Sequence, residues 1–205
     1  MASIGSKSLL VVCFALFLSA CSASSPALKQ PREYLDPQTA ATVTIVDQPL
    51  VFAHERPERA ANVRDYVTVA AVAVNRSGKM NYFLIAYFWS TVDTRVASNQ
   101  SLAEKLPVLI ADDRSLQLTT SELTAHDAGI GYEPHRPAGV PVAEVMASID
   151  LATLRYLSLA HQLTIRFKDD ATEFPYELWN DQRDSLARFV QFLSGSPLVQ
   201  AAPVQ

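Results

Sequence analysis

Apolar runs separated by short polar turns dominate the first two-thirds of the chain and predict β-strands. The runs YVTVAAVAVN (66–75) and MNYFLIAYFWST (80–91) flank RSGK, where Gly78 supplies the turn, and they predict a long hairpin. Both sets of alternate side chains in the second run are apolar, which is typical of a central strand covered on both faces, or covered on one face and offered to a partner on the other. The two sets are Tyr82, Leu84, Ala86 and Phe88, and Phe83, Ile85, Tyr87 and Trp89.

Shorter strands are predicted on either side of this hairpin. ATVTIVD (41–47) and PLVFAHE (49–55) are β-branched or alternating, and PVLIAD and SLQLTT form a smaller hairpin. HQLTIRFK and EFPYELW alternate with Leu163, Ile165, Phe167, Phe174, Tyr176 and Leu178 inward, and they predict a third hairpin turning at Asp169-Asp170. Because proline cannot donate to a ladder, Pro175 places its strand at an edge or at its open side.

Two helices are predicted in the C-terminal third. Asp150 can cap LATLRYLSLA, and Asn180 can cap DQRDSLARFVQFL, which Gly195 and Pro197 would end. The order of elements predicts an α+β fold, with an antiparallel β-rich sheet, a long central hairpin, and two C-terminal helices packed on one side.

Composition adds limits on size and partners. The chain has 205 residues, 49% of them hydrophobic, which suits one domain with a substantial core. Its 17 basic and 21 acidic residues give a net charge of −4 without any basic block, which argues against a nucleic-acid partner. Both cysteines, Cys13 and Cys21, lie near the N-terminus, so the body is expected to hold no disulfide and no cysteine-based zinc site.

The N-terminal segment has the features of a secretory signal. Lys7 precedes the run SLLVVCFALFL, which is shorter than the roughly 20 residues that a membrane-spanning helix needs. Directly after it, Leu18-Ser19-Ala20-Cys21 resembles the lipobox of bacterial lipoproteins. An ordinary signal peptide cut near the same place, with an incidental cysteine, is the alternative.

The lipoprotein resemblance implies cleavage before Cys21 and acylation of that cysteine, which would make the membrane a partner through the lipid. Because Ser22, rather than Asp, follows the cysteine, the family's sorting pattern in Gram-negative cells implies the outer membrane, with the body facing the periplasm. The expected organisation is a signal peptide (1–20), a lipidated cysteine and flexible tether (21–33), one domain (34–195) and a loose tail (196–205).

Two polar clusters are candidate sites. His126, Asp127 and His135, with Glu133, share a loop (124–139) rich in glycine and proline, where imidazole and carboxylate groups could bind a metal or perform acid–base chemistry. Their spacing matches no standard metal motif, and such loops more often serve as connections.

The second cluster, HERPERAANVRDY (54–66), contains Arg56, Arg59 and Arg64, which could bind an anion. The alternating signs of its charges favour mutual neutralisation instead.

The resulting functional expectation is a lipid-anchored envelope protein that acts as a non-catalytic binding or assembly module, with another envelope protein as a possible partner and no cofactor. No metal site is predicted, and the candidate catalytic residues are those of the 124–139 loop. One alternative is a periplasmic hydrolase or metal-dependent enzyme that uses His126, Asp127 and His135. Another is a carrier of a hydrophobic ligand, because the aromatics of YFLIAYFWS, with Trp179 and Phe189, could line an apolar pocket.

Overall fold

The described part of the chain forms a single antiparallel sheet of ten strands with two helices. The computed structural model describes residues 30–92, 107–118, 124–167 and 175–195. The predicted α+β class, with its long central hairpin and two helices in the C-terminal third, is confirmed. The strands are β1 (Arg32–Leu35), β2 (Thr42–Ile45), β3 (Leu50–Glu55), β4 (Arg64–Arg76), β5 (Lys79–Ser90), β6 (Pro107–Ala111), β7 (Arg114–Gln117), β8 (Val142–Ile149), β9 (Leu163–Phe167) and β10 (Tyr176–Asn180); the helices are α1 (Leu151–Leu159) and α2 (Arg183–Leu193).

The longest strand, β4, organises the sheet. It pairs with β5 from Asp65 to Arg76 along one edge. Its other edge is shared, since β3 pairs with the first half of β4 and β2 pairs with the second half. Pro49, which has no N–H, lies in the break between β2 and β3. The neighbouring Gln48 N–H donates to Ser185 Oγ of α2 at 3.0 Å, which joins this break to the helical layer.

Both faces of the central strands are covered, as their apolar pattern predicts. On one face, here called the helix face, Leu84, Ala86 and Phe88 pack with α1 and α2 in one cluster. On the opposite face, here called the loop face, Phe83, Ile85 and Tyr87 pack with residues of the 124–139 loop. The strand therefore needs two covering layers, and a loop supplies the second one.

The two helices begin differently. Asp150 is the N-cap of α1 and accepts a hydrogen bond from the Thr153 N–H at 2.6 Å, as predicted. The predicted cap of α2 is wrong, because Asn180 belongs to β10 and pairs with Val51, and the helix begins after Gln182 without a side-chain cap. The amphipathic face of α2 is correct, since Leu186, Phe189 and Val190 are its buried apolar residues.

Strand β10 lies inside the sheet, between β3 and β9, so the edge position inferred from Pro175 is wrong. The proline precedes the first strand residue, Tyr176, where its missing N–H removes no ladder bond.

Two strands differ from the sequence prediction. The hydrophobic pattern does not predict β8, although all eight of its residues pair with β5. Strand β1 begins at Arg32, inside the stretch assigned to the tether.

Several predictions fall on other parts of the chain. The signal segment, the lipobox with Cys21, the turn at Asp169-Asp170, Phe174 and the tail from residue 196 lie outside the described residues.

Candidate functional site

The polar residues of the 124–139 loop have separate local partners. Asp127 accepts from the hydroxyl of Thr124 at 2.7 Å and from its N–H at 3.2 Å. The hydrogen bond from the Thr124 hydroxyl, followed by the one from its backbone N–H, lowers the pKa of the Asp127 carboxyl. Asp127 therefore closes a turn at the start of the loop and remains ionised at neutral pH.

His135 forms a hydrogen bond between the other end of the loop and the residue that follows β2. Its Nε2 lies 2.7 Å from the carbonyl oxygen of Val46, just after β2. Because a carbonyl oxygen only accepts, Nε2 must carry the proton and donate it, which fixes the tautomer when the ring is neutral. The residue adopts φ 58°, an uncommon conformation outside glycine. These features make His135 a structural tie between the loop and the sheet.

The structure does not combine the three candidate residues into a reactive group. His126 is exposed, Asp127 bonds to Thr124, and His135 bonds to Val46. Within the described ranges, no hydrogen bond joins these three side chains, and no cluster of three His, Cys, Asp or Glu residues could hold a metal ion. The loop is more than a connection, however, because Ala125 and Ile130 are buried in the loop-face core.

A buried carboxylate that the sequence interpretation missed anchors the loop. Asp36 is 2% exposed and accepts hydrogen bonds from the N–H groups of Gln38, Thr39 and Gly131. Burial alone would raise the pKa of Asp36, but these hydrogen bonds outweigh it and lower the pKa. A Cβ added to Gly131 would lie 2.5 Å from Asp36 Oδ2, so only glycine allows this close approach.

The arginine cluster is neutralised by its neighbours. Arg56 forms ion pairs with Glu58 and with the buried Asp65. Arg64 pairs with Glu55 at 2.7 Å. The Arg59 N–H donates to the Arg56 carbonyl oxygen at 3.0 Å within the turn that joins β3 and β4. Arg56 and Arg64 therefore meet carboxylates of the same segment, as the alternating signs of its charges favoured.

A group of aromatic side chains lies at the end of the loop face next to this segment. We call Arg64, Tyr66, Trp89 and Trp179 the aromatic platform. The rings of Tyr66 and Trp89 are stacked, with centroids 4.5 Å apart and planes at 17°. The Trp89 indole N–H donates to Thr68 Oγ1 at 3.1 Å, which fixes the orientation of the ring.

Trp179 extends the platform across the sheet. The guanidinium carbon of Arg64 lies 4.5 Å from the centroid of the Trp179 ring, in cation–π geometry. Trp179 occupies the register shift between Leu178 and Asn180, where β10 has one residue more than β3. Trp179 is 58% exposed, whereas Phe83, Ile85 and Tyr87 on the loop face of β5 are buried. Trp179 is therefore open to solvent although Arg64 packs over its ring.

The composition of the platform is that of an interaction surface. Trp, Tyr and Arg are the residues enriched at the energetic centres of protein interfaces. The Glu55 carboxylate and the Trp179 ring hold Arg64 on two sides, so little side-chain freedom would be lost on binding. The sequence pointed to Trp179 and the aromatics of YFLIAYFWS as the lining of a pocket, but only the pairing of β10 with β3 places Trp179 close to Arg64.

The helix-face core leaves little room for an apolar ligand beside β5. A cavity lined by Leu84, Leu109, Leu157 and other apolar side chains has a volume of about 10 Å³. This volume suits one water molecule at most, far below the several hundred Å³ of a typical ligand pocket. Phe83, Tyr87 and Phe88 contribute to close packing on the two faces.

Comparisons with known proteins identify no relative. No protein-family model, curated protein or solved structure matches the chain. In the part of the chain that the structure describes, neither helix is long and apolar enough to cross a membrane.

Proposed function

We propose that this protein is a lipid-anchored component of the bacterial envelope that acts as a non-catalytic binding or assembly module. Cys21 would hold it at the outer membrane, and its body would bind another envelope protein in the periplasm through the aromatic platform. The observation that carries this proposal is the exposed Trp179 ring, stacked against Arg64 beside the Tyr66–Trp89 pair.

The electrostatics of the platform favour a protein surface over a simple anion. Arg64 already has the Glu55 carboxylate, so a bound phosphate would have to compete with it. A partner that covers the platform would exclude water from the Arg64–Glu55 pair and bury the exposed part of the Trp179 ring. Burial of apolar surface contributes roughly 25 cal/mol for each Å² removed from water, and aromatic side chains offer large areas.

The binding surface can be tested by site-specific photocrosslinking in the membrane-anchored chain. A photoreactive phenylalanine replaces Trp179 in one variant and Leu159 in the control, because Leu159 is a similarly exposed apolar residue on α1. We expect one discrete crosslinked protein from position 179 and none from position 159. Equal crosslinking from both positions, or none from 179, would contradict a specific surface.

A binding measurement then tests the energetic role of the ring. Trp179→Ala is expected to weaken association with the crosslinked protein by at least about tenfold, since truncation of a central interface residue costs about 2 kcal/mol. Leu159→Ala is the matched control and should leave the affinity unchanged. Equal affinities for both variants would remove Trp179 from the interface.

The lipid anchor is tested independently. Mass spectrometry of the wild-type protein is expected to find Cys21 as the N-terminal residue, carrying its acyl groups. Cys21→Ser should abolish acylation and release the protein from the membrane fraction. An unmodified N-terminus at another residue of the wild-type protein would refute the anchor without affecting the binding surface.

A further inference from the structure

We propose that Glu144 is a pH-sensitive switch for the 124–139 loop, which packs firmly on the sheet when this carboxyl is protonated and opens more often when it is ionised. Glu144 lies on β8 directly opposite Tyr87 of β5, so the two side chains share the loop face. This inference goes beyond the proposed function and involves none of the residues of the aromatic platform.

The surroundings of Glu144 are unfavourable for a negative charge. Its neighbours at alternate positions on β8, Val142 and Met146, pack in the loop-face cluster, and Glu144 itself is half-buried between them. Tyr87 is completely buried, and in the described residues its hydroxyl has no hydrogen-bond partner. The Tyr87 hydroxyl therefore does not donate to the Glu144 carboxylate, which loses water on this side without gaining a donor.

The 124–139 loop adds one charge of each sign. Glu133 and Arg136 form an ion pair at 2.6 Å, and of these two Glu133 repels the ionised Glu144 while Arg136 attracts it. On the β5 side, burial and then repulsion from Glu144 raise the pKa of Tyr87, so this phenol stays neutral. Tyr132 of the loop also faces Tyr87. Because the two loop charges oppose each other, the loss of water is the main effect on Glu144.

The direction of the switch follows from linkage. Burial, followed by repulsion from Glu133, raises the pKa of the Glu144 carboxyl. When the loop opens, water returns to this carboxyl and its pKa falls towards the ordinary value. Protonation therefore stabilises the closed loop, and this stabilisation is complete below the ordinary pKa and is lost as the pH rises through the higher pKa of the closed state.

Asp36, which binds the same loop through the Gly131 N–H, has the opposite dependence because its pKa is lowered. Its stabilisation of the loop is lost in acid, below the range in which Glu144 titrates. The loop is therefore expected to be held most firmly at mildly acidic pH, between the pKa values of these two carboxyl groups.

Hydrogen exchange of loop amides measures the opening directly. The Ile130 N–H donates to a backbone carbonyl oxygen within the loop, and the Gly131 N–H donates to Asp36. In the detergent-solubilised wild-type protein, we expect their protection, taken relative to an unstructured peptide at the same pH, to fall at least about threefold between pH 5 and pH 7.5. The Leu186 N–H, hydrogen-bonded in α2, is the internal control and should show no such change.

A neutral isostere identifies the group responsible. Glu144→Gln should keep the high protection throughout this pH range. Glu177→Gln, which removes an exposed carboxylate from β10, is the matched control and should retain the wild-type dependence. The loop also contains His126 and His135, and histidine commonly changes charge near neutral pH. A Glu144→Gln variant with the wild-type dependence would assign the effect to other groups and overturn the inference, as would a wild-type loop whose protection does not change with pH.

Two exposed substitutions on the loop provide a second test that leaves the core intact. Glu133→Gln removes the repulsion and releases Arg136, so the pH at which the loop loses its protection should move down. Arg136→Gln removes the attraction, so this pH should move up. Shifts in the same direction, or no shift in either variant, would overturn the inference. These outcomes concern Glu144 alone, so they leave the crosslinking test of Trp179 unaffected.

Discussion

Replacement of Ile130 by alanine tests whether the 124–139 loop is a structural layer of the protein. Ile130 is 2% exposed and packs in the loop-face cluster with Val72, Val74 and Ile85. Its N–H also donates to the Ala125 carbonyl oxygen at 2.8 Å. If the loop only connected strands, truncation of this side chain would have little effect on stability.

The expected loss of stability follows from the deleted atoms. Ile130→Ala removes three carbon groups, and at about 0.8 kcal/mol for each the transfer term is about 2.4 kcal/mol. A residual cavity adds to this, and buried Ile→Ala substitutions cost about 2–5 kcal/mol in total. For a protein of this size the transfer term alone corresponds to a fall in Tm of about 5–10 °C.

Equilibrium urea unfolding, monitored by tryptophan fluorescence in a Cys21→Ser background, measures the free energy of unfolding. Leu159→Ala is the matched control, since Leu159 is 70% exposed, and its effect should stay within about 0.5 kcal/mol. The slope of the transition should be the same in all variants. An Ile130→Ala variant as stable as the control would refute the assignment of this loop to the core.

Three further predictions concern buried polar and sterically restricted positions. Gly131→Ala should lower the free energy of unfolding by about 1–3 kcal/mol, because the new methyl group would meet the Asp36 carboxylate; an unchanged urea midpoint would contradict this contact. The pKa values of Asp36 and Asp127 are lower in the folded protein than in the unfolded chain, so the unfolded chain binds more protons in acid. The stabilisation that these two carboxylates provide should be complete above about pH 4, and it should be lost as the pH falls through their folded-state pKa values. Asp36→Asn should reduce this acid dependence in urea titrations at pH 3, 5 and 7, and an unaltered pH profile would exclude Asp36 as a contributor. Tyr87→Phe should leave the urea midpoint unchanged or raise it, because the Tyr87 hydroxyl is buried without a hydrogen-bond partner in the described residues; a loss above about 1 kcal/mol would indicate a partner.

Local patterns predict the parts of this fold that depend on sequence neighbours. The β4–β5 hairpin follows from two apolar runs around Gly78, and the two apolar faces of β5 follow from its alternation. The N-cap at Asp150 is local too, since it bonds three residues ahead. Each of these features requires only interactions within or between adjacent segments.

The features that the sequence interpretation missed depend on distant partners. Pro175 suggests an edge, but β3 and β9 enclose β10 because the proline stands before the first ladder residue. The cover of the loop face depends on Asp36, which binds Gly131 far along the chain. Trp179 joins Arg64 only through the register of β10 with β3. Periodicity contains no information about such registers.

The position of β10 has a consequence for how the chain reaches its native state. Strand β3 pairs on one edge with β4, its neighbour in sequence, and on the other edge with β10, the last strand of the described residues. A chain that emerges N-terminus first would therefore carry an open β3 edge until β10 followed. Because contacts so distant in sequence form slowly, insertion of β10 is expected to be a late step in folding. Until then the open edge of β3 could pair with exposed strands of other chains.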